Sequence, residues 1–326
     1  MRFLKAFAAA TFFISFHLSA QTEYRNQELS IANDNDVYLF LNIDRYYSNG
    51  LFLNYRFVPN SYFGDTTRAK RIYDLGLIQK YWTPQNVTLE DPEDYDRPYA
   101  GLLTLSLRTA VFPKNDRRLS YGLELGVIGK PSGAQAFQEW YHEKFGFPQP
   151  VGWEYQVPNG LVLDLKMEYN RQFFLVPSKL DLITSSSASL GTGFINAMQG
   201  VDLRFGRLGN INNSALFNSL IGSGSEKLET HNYFFIGYGL EVVGHNTTIQ
   251  GHLFGNNDYP YSEDILPLVR HLRIGFATSS KTTTFRLTYN WLSREVDQWA
   301  AGRHAYIGMQ IDYRIQPRKS SSSRSQ

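Results

Sequence analysis

The sequence predicts an all-β fold: a transmembrane antiparallel β-barrel of about 12 strands with a short helix in an outer-surface loop. Apolar and polar residues alternate at period two in segment after segment, and aromatic residues make up 15% of the chain. A chain with 21 Tyr and 23 Phe can supply the amphipathic rings of interfacial girdles. It has no cysteine, so an exported fold must close by hydrogen bonds rather than by disulfides. A mean hydropathy of -0.34 agrees with this reading, because a barrel strand meets lipid only at every second residue.

From the N-terminus, Arg2 and Lys5 precede an apolar run from Ala6 to Ile14, and Leu18-Ser19-Ala20 offers a small-residue cleavage site. Residues 1–20 are expected to be a secretory signal peptide, since the run is far shorter than the ~20 residues of a spanning helix. The barrel then occupies 21–315, and the basic, serine-rich 316–326 reads as a disordered tail.

Strands are expected at 27–40, 47–58, 70–83, 99–113, 117–129, 160–175, 180–192, 196–207, 232–244, 268–279, 282–294 and 303–315. In 119–127, Leu119, Tyr121, Leu123, Leu125 and Val127 oppose Ser120, Gly122, Glu124 and Gly126. In 161–169, Leu161, Leu163, Leu165, Met167 and Tyr169 oppose Asp164, Lys166 and Glu168. Charges on the second face suit a hydrated, ion-paired interior. A further apolar stretch at 246–255 is read as a prolongation of the ninth strand, which keeps the strand count even.

With the N-terminus periplasmic, connections 41–46, 84–98, 130–159, 245–267 and 295–302 fall at the outer surface. The short turns fall inside. Connection 208–231 is too long for that side, which either weakens the strand count or marks an ordered periplasmic plug. One helix interrupts the pattern: Pro131-Ser132 opens it with a capping serine and Gly146 closes it. Gln138 and His142 share a face of it, with Gln135 beside them. Phe137, Trp140, Tyr141 and Phe145 could meet the lipid interface.

A formal net charge of +2, with no basic cluster outside the tail, excludes a strongly polarised nucleic-acid binder. In the first strand Leu29 and Ile31 oppose Ser30 and Ala32, and the strand then runs into Asn33-Asp34-Asn35-Asp36. Continued alternation puts Asn33 on the lipid side and Asp34 inside, unless a bulge joins them. Such a run suits either a hard cation such as Ca²⁺ or a self-solvating strand end. His142 has an intrinsic pKa near ~6.5 and could take a proton from a water attacking an ester. The oxyanion that forms needs positive charge or donors, from Ca²⁺ held by Asp34, from Ser48 or Gln138, or from a nearby arginine. No Gly-x-Ser-x-Gly elbow occurs, so a water mechanism is preferred to an acyl-enzyme.

Ser30-Ile31-Ala32-Asn33-Asp34, Tyr47-Ser48-Asn49-Gly50, and Gly126-Val127-Ile128-Gly129 followed by Gln135, Gln138 and His142 resemble the lipid A 3'-O-deacylase family. Asp96-Arg97-Pro98-Tyr99-Ala100-Gly101 and Gly152-Trp153-Glu154-Tyr155-Gln156 add to the likeness. The resemblance implies an integral outer-membrane hydrolase, here expected as a monomer, that removes a 3'-acyloxyacyl chain from lipid A of lipopolysaccharide with Ca²⁺. It makes His142 the base, Asn33 and Asp34 the oxyanion and calcium-side pair, and Ser48 and Gln138 polar members of a site near the outer leaflet.

Two stretches depart from the family pattern. Phe147-Pro148-Gln149-Pro150 offers Gln149 where family members carry a second carboxylate ligand. Thr88-Leu89-Glu90-Asp91-Pro92-Glu93-Asp94 is acidic where they carry a Lys-Arg pair, which supports no contact with a substrate phosphate there and implies either a less phosphorylated lipid or calcium recruited by this connection. The competing readings are an outer-membrane phospholipase and a non-enzymatic channel or structural barrel; under the latter, His142→Ala changes no lipid.

Overall fold

The computed structural model describes residues 25–39, 44–59, 69–222, 230–254 and 264–315. The expected signal peptide and tail lie outside the described residues. Twelve antiparallel strands among them form one closed barrel in which each strand pairs with its sequence neighbours and the last returns to the first. They are β1 (Gln27–Asn35), β2 (Tyr46–Phe57), β3 (Lys70–Thr83), β4 (Ala100–Lys114), β5 (Arg117–Ile128) and β6 (Gly160–Val176), then β7 (Leu180–Gly191), β8 (Phe194–Arg207), β9 (Asn232–Asn246), β10 (Leu268–Ser279), β11 (Thr283–Ser293) and β12 (Arg303–Ile315). Gln27 sits opposite both Ile315 and Phe57, so the two ends of the barrel sequence lie side by side at one rim.

Alternation sets the two faces. Leu29, Ile31, Leu53, Leu75, Leu77 and Ile311 point outward and exposed, as an apolar band in lipid must. The intervening positions carry charge into the lumen and satisfy it there. Arg56 reaches Glu28 at 3.0 Å, Asp74 at 2.9 Å and Asp312 at 3.3 Å. Arg204 grips Asp181 at 2.6 Å with both side chains fully buried. Buried charges persist only when paired in this way.

Connection 208–231 is an ordered plug through residue 222. Two 3-10 turns, Ile211–Asn213 and Ala215–Phe217, fold into the barrel mouth. Ile211 and Ile221 pack with Val58, Ile72 and Phe112. Lys70 donates to the carbonyls of Asn212 at 2.7 Å and Ser219 at 2.6 Å, and Arg286 to those of Ala215 at 3.2 Å and Leu216 at 2.9 Å. The strand count therefore stands, and the long connection is satisfied by the lumen it fills.

Besides shifts of one or two residues at other strand ends, three features differ from the sequence reading. β1 stops at Asn35, where a 3-10 turn, Val37–Leu39, takes over. β9 is prolonged only to Asn246, because the Asn246 side chain accepts from Thr248 N and caps a four-residue helix, Thr247–Gln250. The long helix, α1 (Ala134–Phe145), is preceded by Gly133 in the left-handed conformation rather than directly by Ser132. Ser132 still receives Ala134 N at 3.3 Å, from within its own 3-10 turn. Gly146 closes α1 as expected, at φ 76°.

At the outer end the connections brace one another. The Tyr46 ring stacks on Trp299 with centroids 3.9 Å apart, and its hydroxyl donates to Asp96 at 2.6 Å. Asp96 also receives Ala300 N at 3.0 Å. Arg97, fully buried, donates to Thr248 Oγ1 at 2.9 Å and pairs with Glu295 at 3.5 Å.

A polar cavity on the outer wall of the barrel

On β3 the outward positions begin as exposed leucines, Leu75 and Leu77, and end at Tyr81, which is buried. What buries it is α1, laid across the outer ends of β3 and β4. Tyr81 packs there with Tyr99, Ala134 and Trp153. Gly101 on β4 permits the close approach, since a Cβ in its place would run into Ser132 Oγ and lie 2.6 Å from Ala134 Cβ. The face so pressed against the wall carries Gln138 and His142, four residues apart on one side of the helix. Trp140 and Phe145 stay exposed on the other side, placed as an interfacial helix would place them.

Asp44 gathers these polar groups. His142 Nε2 lies 2.6 Å from Asp44 Oδ2, and Gln138 Nε2 donates to the same oxygen at 3.0 Å. Ser48 Oγ donates to Asp44 Oδ1. Trp153 Nε1 holds the Gln138 carbonyl at 2.7 Å, which fixes the amide so that its NH₂ faces Asp44. Ser48 reaches Asp44 because β2 bulges between Tyr47 and Asn49, just after Tyr46 adopts φ 59°.

Both ring nitrogens of His142 have acceptors, since Nδ1 meets the Pro148 carbonyl. Burial disfavours the charged ring, but the hydrogen bond and charge of Asp44, helped by the Pro148 carbonyl, outweigh it and hold the pKa above its ordinary 6.5. With an acceptor at each nitrogen, the arrangement favours the doubly protonated imidazole over the neutral one.

A cavity of about 280 Å³ opens beside the pair, lined by Asn35, Asp36, Asp44, Arg45, Ser48 and His142 among others. Of the residues singled out in the sequence, His142 and Ser48 line it, and Gln138 is bonded to it through Asp44. The structure does not bring Asn33 and Asp34 there. Strand β1 keeps an unbroken register against both neighbours, so the bulge that could have joined them lies in β2 instead. Asn33 faces outward but is consumed locally: it accepts from Tyr38 Oη at 2.6 Å and donates to the Gly50 carbonyl at 2.9 Å. Asp34 faces the lumen, takes the Tyr47 hydroxyl at 2.9 Å and lines interior cavities with Arg286 and Asn218.

Gln149 is exposed and does not line the cavity. The residues that do come in are Asn35 and Asp36, the second half of the same run, together with Asp44. Asp36 Oδ2 accepts from Arg45 N at 2.9 Å, whereas its Oδ1 is buried without a hydrogen-bond partner. Burial and the charge of Asp44 push the Asp36 carboxyl well above the usual range, against the pull of the Arg45 and Val37 amides. Among the described residues no three His, Asp or Glu side chains assemble into a complete metal cage. Two carboxylates share the cavity nonetheless. The sequence names Asp36 within the Asn/Asp run as a possible cation ligand without separating it from Asp34, and gives no signal for Asp44; what separates Asp36 is that the strand ends inside that run.

A sequence model of a family described as the outer membrane protein LpxR matches residues 6–315. Among solved structures, LpxR from Salmonella typhimurium aligns with a TM-score of 0.72 at 23% identity, covering 88% of this chain and 100% of that one. The beta domain of the Bordetella autotransporter Brka aligns with a TM-score of 0.44 at 10% identity, covering 89% and 100%. No curated protein sequence matches the chain.

Proposed function

The chain belongs to the LpxR family of outer-membrane proteins, and from that premise we propose that it is a lipid A deacylase that hydrolyses the 3'-acyloxyacyl ester at the cavity on its outer wall. The observation that carries this reading is the His142–Asp44 pair, held by Gln138 and Ser48 directly beyond the exposed leucines of β1 to β3. A lipid whose acyl chains lie along Leu29, Ile31, Leu75 and Leu77 has its ester linkages at the level of that pair. The wall is apolar where chains would run and polar where the ester would sit.

In the proposed reaction a water oxygen attacks the ester carbonyl and gives its proton to His142. To act as base, His142 must lose its Nε2 proton to solvent and Asp44 must give up its place at Nε2 to the attacking water, while Nδ1–H stays on the Pro148 carbonyl. The tetrahedral intermediate then collapses, and His142 returns the proton to the departing sugar oxygen. The products are a free acyloxy fatty acid and a lipid A hydroxyl. The Pro148 carbonyl orients the ring, Gln138 and Ser48 hold Asp44 beside it, and Ser48 serves as a hydrogen-bonding neighbour rather than as nucleophile.

The donor set fits a hard cation such as Ca²⁺: Asp36 and Asp44 would hold it, with oxygens of Asn35 and Ser48 near, and the unpartnered Asp36 Oδ1 is the atom that most needs one. Bound there, calcium would polarise the ester carbonyl and stabilise the oxyanion. The roles that the resemblance gives Asn33 and Asp34 thus pass, in this proposal, to Asn35 and Asp36. The test is purified protein in mixed micelles with hexa-acylated lipid A or with a glycerophospholipid, assayed by fatty-acid release. Release from lipid A alone supports the reading, and release from the glycerophospholipid alone replaces it with a phospholipase.

A further inference from the structure

Resting on that reading of the cavity, we infer that Arg45 is its specificity-determining residue, receiving a phosphate ester carried by the sugar whose acyl chain is cut. Among the described residues that line the cavity Arg45 is the only Lys or Arg. Its guanidinium makes no ion pair among the described residues, although Asp36 and Asp44 border the same cavity. Its Nε is buried without a hydrogen-bond partner.

The side chain is nevertheless held. Its backbone N donates to Asp36 at 2.9 Å, and its guanidinium lies over the Tyr46 ring, 5.5 Å from the centroid. Tyr46 in turn is fixed by Trp299 and Asp96. An arginine placed by an aromatic face keeps its planar fork of donors for a ligand. A partly buried cation without an ion-pair contact is costly, and a phosphate, which guanidinium meets through two parallel hydrogen bonds, relieves that cost.

The 84–98 connection offers no rival among the described residues that line the cavity. Gln85, Asn86 and Thr88 line it with neutral groups, and the acidic Glu90, Glu93 and Asp94 lie on the same connection. Arg97, the cation of that connection, is buried against Thr248 and Glu295, so the positive charge at the cavity comes from the residue that follows Asp44.

The test measures kcat/KM of purified protein on bisphosphorylated lipid A and on lipid A lacking the phosphate of the sugar that bears the cleaved ester. Wild type should prefer the phosphorylated lipid by about 10- to 100-fold, mainly through KM, the range of a charged hydrogen bond. Arg45→Gln should bring the ratio close to one, and Arg45→Lys should keep part of it. A wild type that turns over both lipids equally overturns the inference. So does an Arg45→Gln protein that loses the same factor on both, since that is what a structural residue or a general oxyanion donor would do.

If Arg45→Gln loses the heat-modifiable gel mobility of a folded barrel, the comparison of wild type with Arg45→Lys decides: a reduced ratio supports the inference and an unchanged one refutes it. Wild type inactive on both lipids would refute the deacylase reading itself, and the inference with it.

Discussion

His142 Nε2 and Asp44 Oδ2 lie 2.6 Å apart, joining a helix in an outer connection to the residue that leads into β2. The pair fixes which protonation state the site holds at rest. Because the pKa of His142 is raised, the neutral ring needed for proton abstraction appears only above the range of an ordinary histidine. Without calcium the ring should therefore titrate above ~6.5, and Asp44→Asn should move that titration down toward ~6.5, while at saturating calcium Asp44→Asn should lower kcat/KM by about 10²-fold. NMR titration of the imidazole without calcium, and rates of both proteins with it, check this.

The same pair links stability to pH. A histidine whose pKa is higher folded than unfolded stabilises the fold fully below the unfolded value near ~6.5, and that contribution is lost as pH rises through the folded value. Proteolytic nicking of the 130–159 connection should accordingly increase from pH 6 to pH 8 in wild type and change less in His142→Gln.

Asp36 and Asp34 separate the two readings of the Asn/Asp run. Asp36 borders the cavity with an unpartnered oxygen, whereas Asp34 faces the lumen. Chelation should abolish deacylation by wild type, and Asp36→Asn should raise the calcium concentration for half-maximal activity by ~10-fold or more. Asp34→Asn should leave that concentration near the wild-type value. Calcium titrations of activity distinguish the two.

The plug should close the barrel. With Lys70, Arg204 and Arg286 bonded to it, and Asn218 receiving Gln310 at 2.9 Å, wild type should show little conductance in planar bilayers. Deleting 211–219 should open a measurable channel. Arg204→Ala, which strands the fully buried Asp181, should cost about 3–5 kcal/mol in denaturant unfolding.

Much of this architecture is legible in the sequence, for a definite reason. A strand with one face in lipid and one in a polar lumen must alternate, so Leu123/Glu124 or Leu163/Asp164 reports both strand and face directly. Alternation also sorted Asn33 from Asp34 correctly. What it could not report is where β1 ends, and that boundary decides that Asn35 and Asp36 reach the cavity while their predecessors do not.

Asp44 was harder still. Its role depends on a bulge at Ser48, on a left-handed Tyr46 and on a helix that begins 90 residues later, none of which leaves a local signal. The plug was ambiguous on similar grounds, because its polar groups are satisfied by residues from β3, β8, β11 and β12 rather than by neighbours in sequence.

Mass spectrometry of lipid A from outer membranes of cells expressing wild type or His142→Ala, with matched levels of folded barrel, tests the central claim most directly. The account predicts that wild type removes one acyloxyacyl unit from lipid A and that His142→Ala leaves nearly all of it intact. Identical lipid A from the two strains, whether both cut or both uncut, would contradict it.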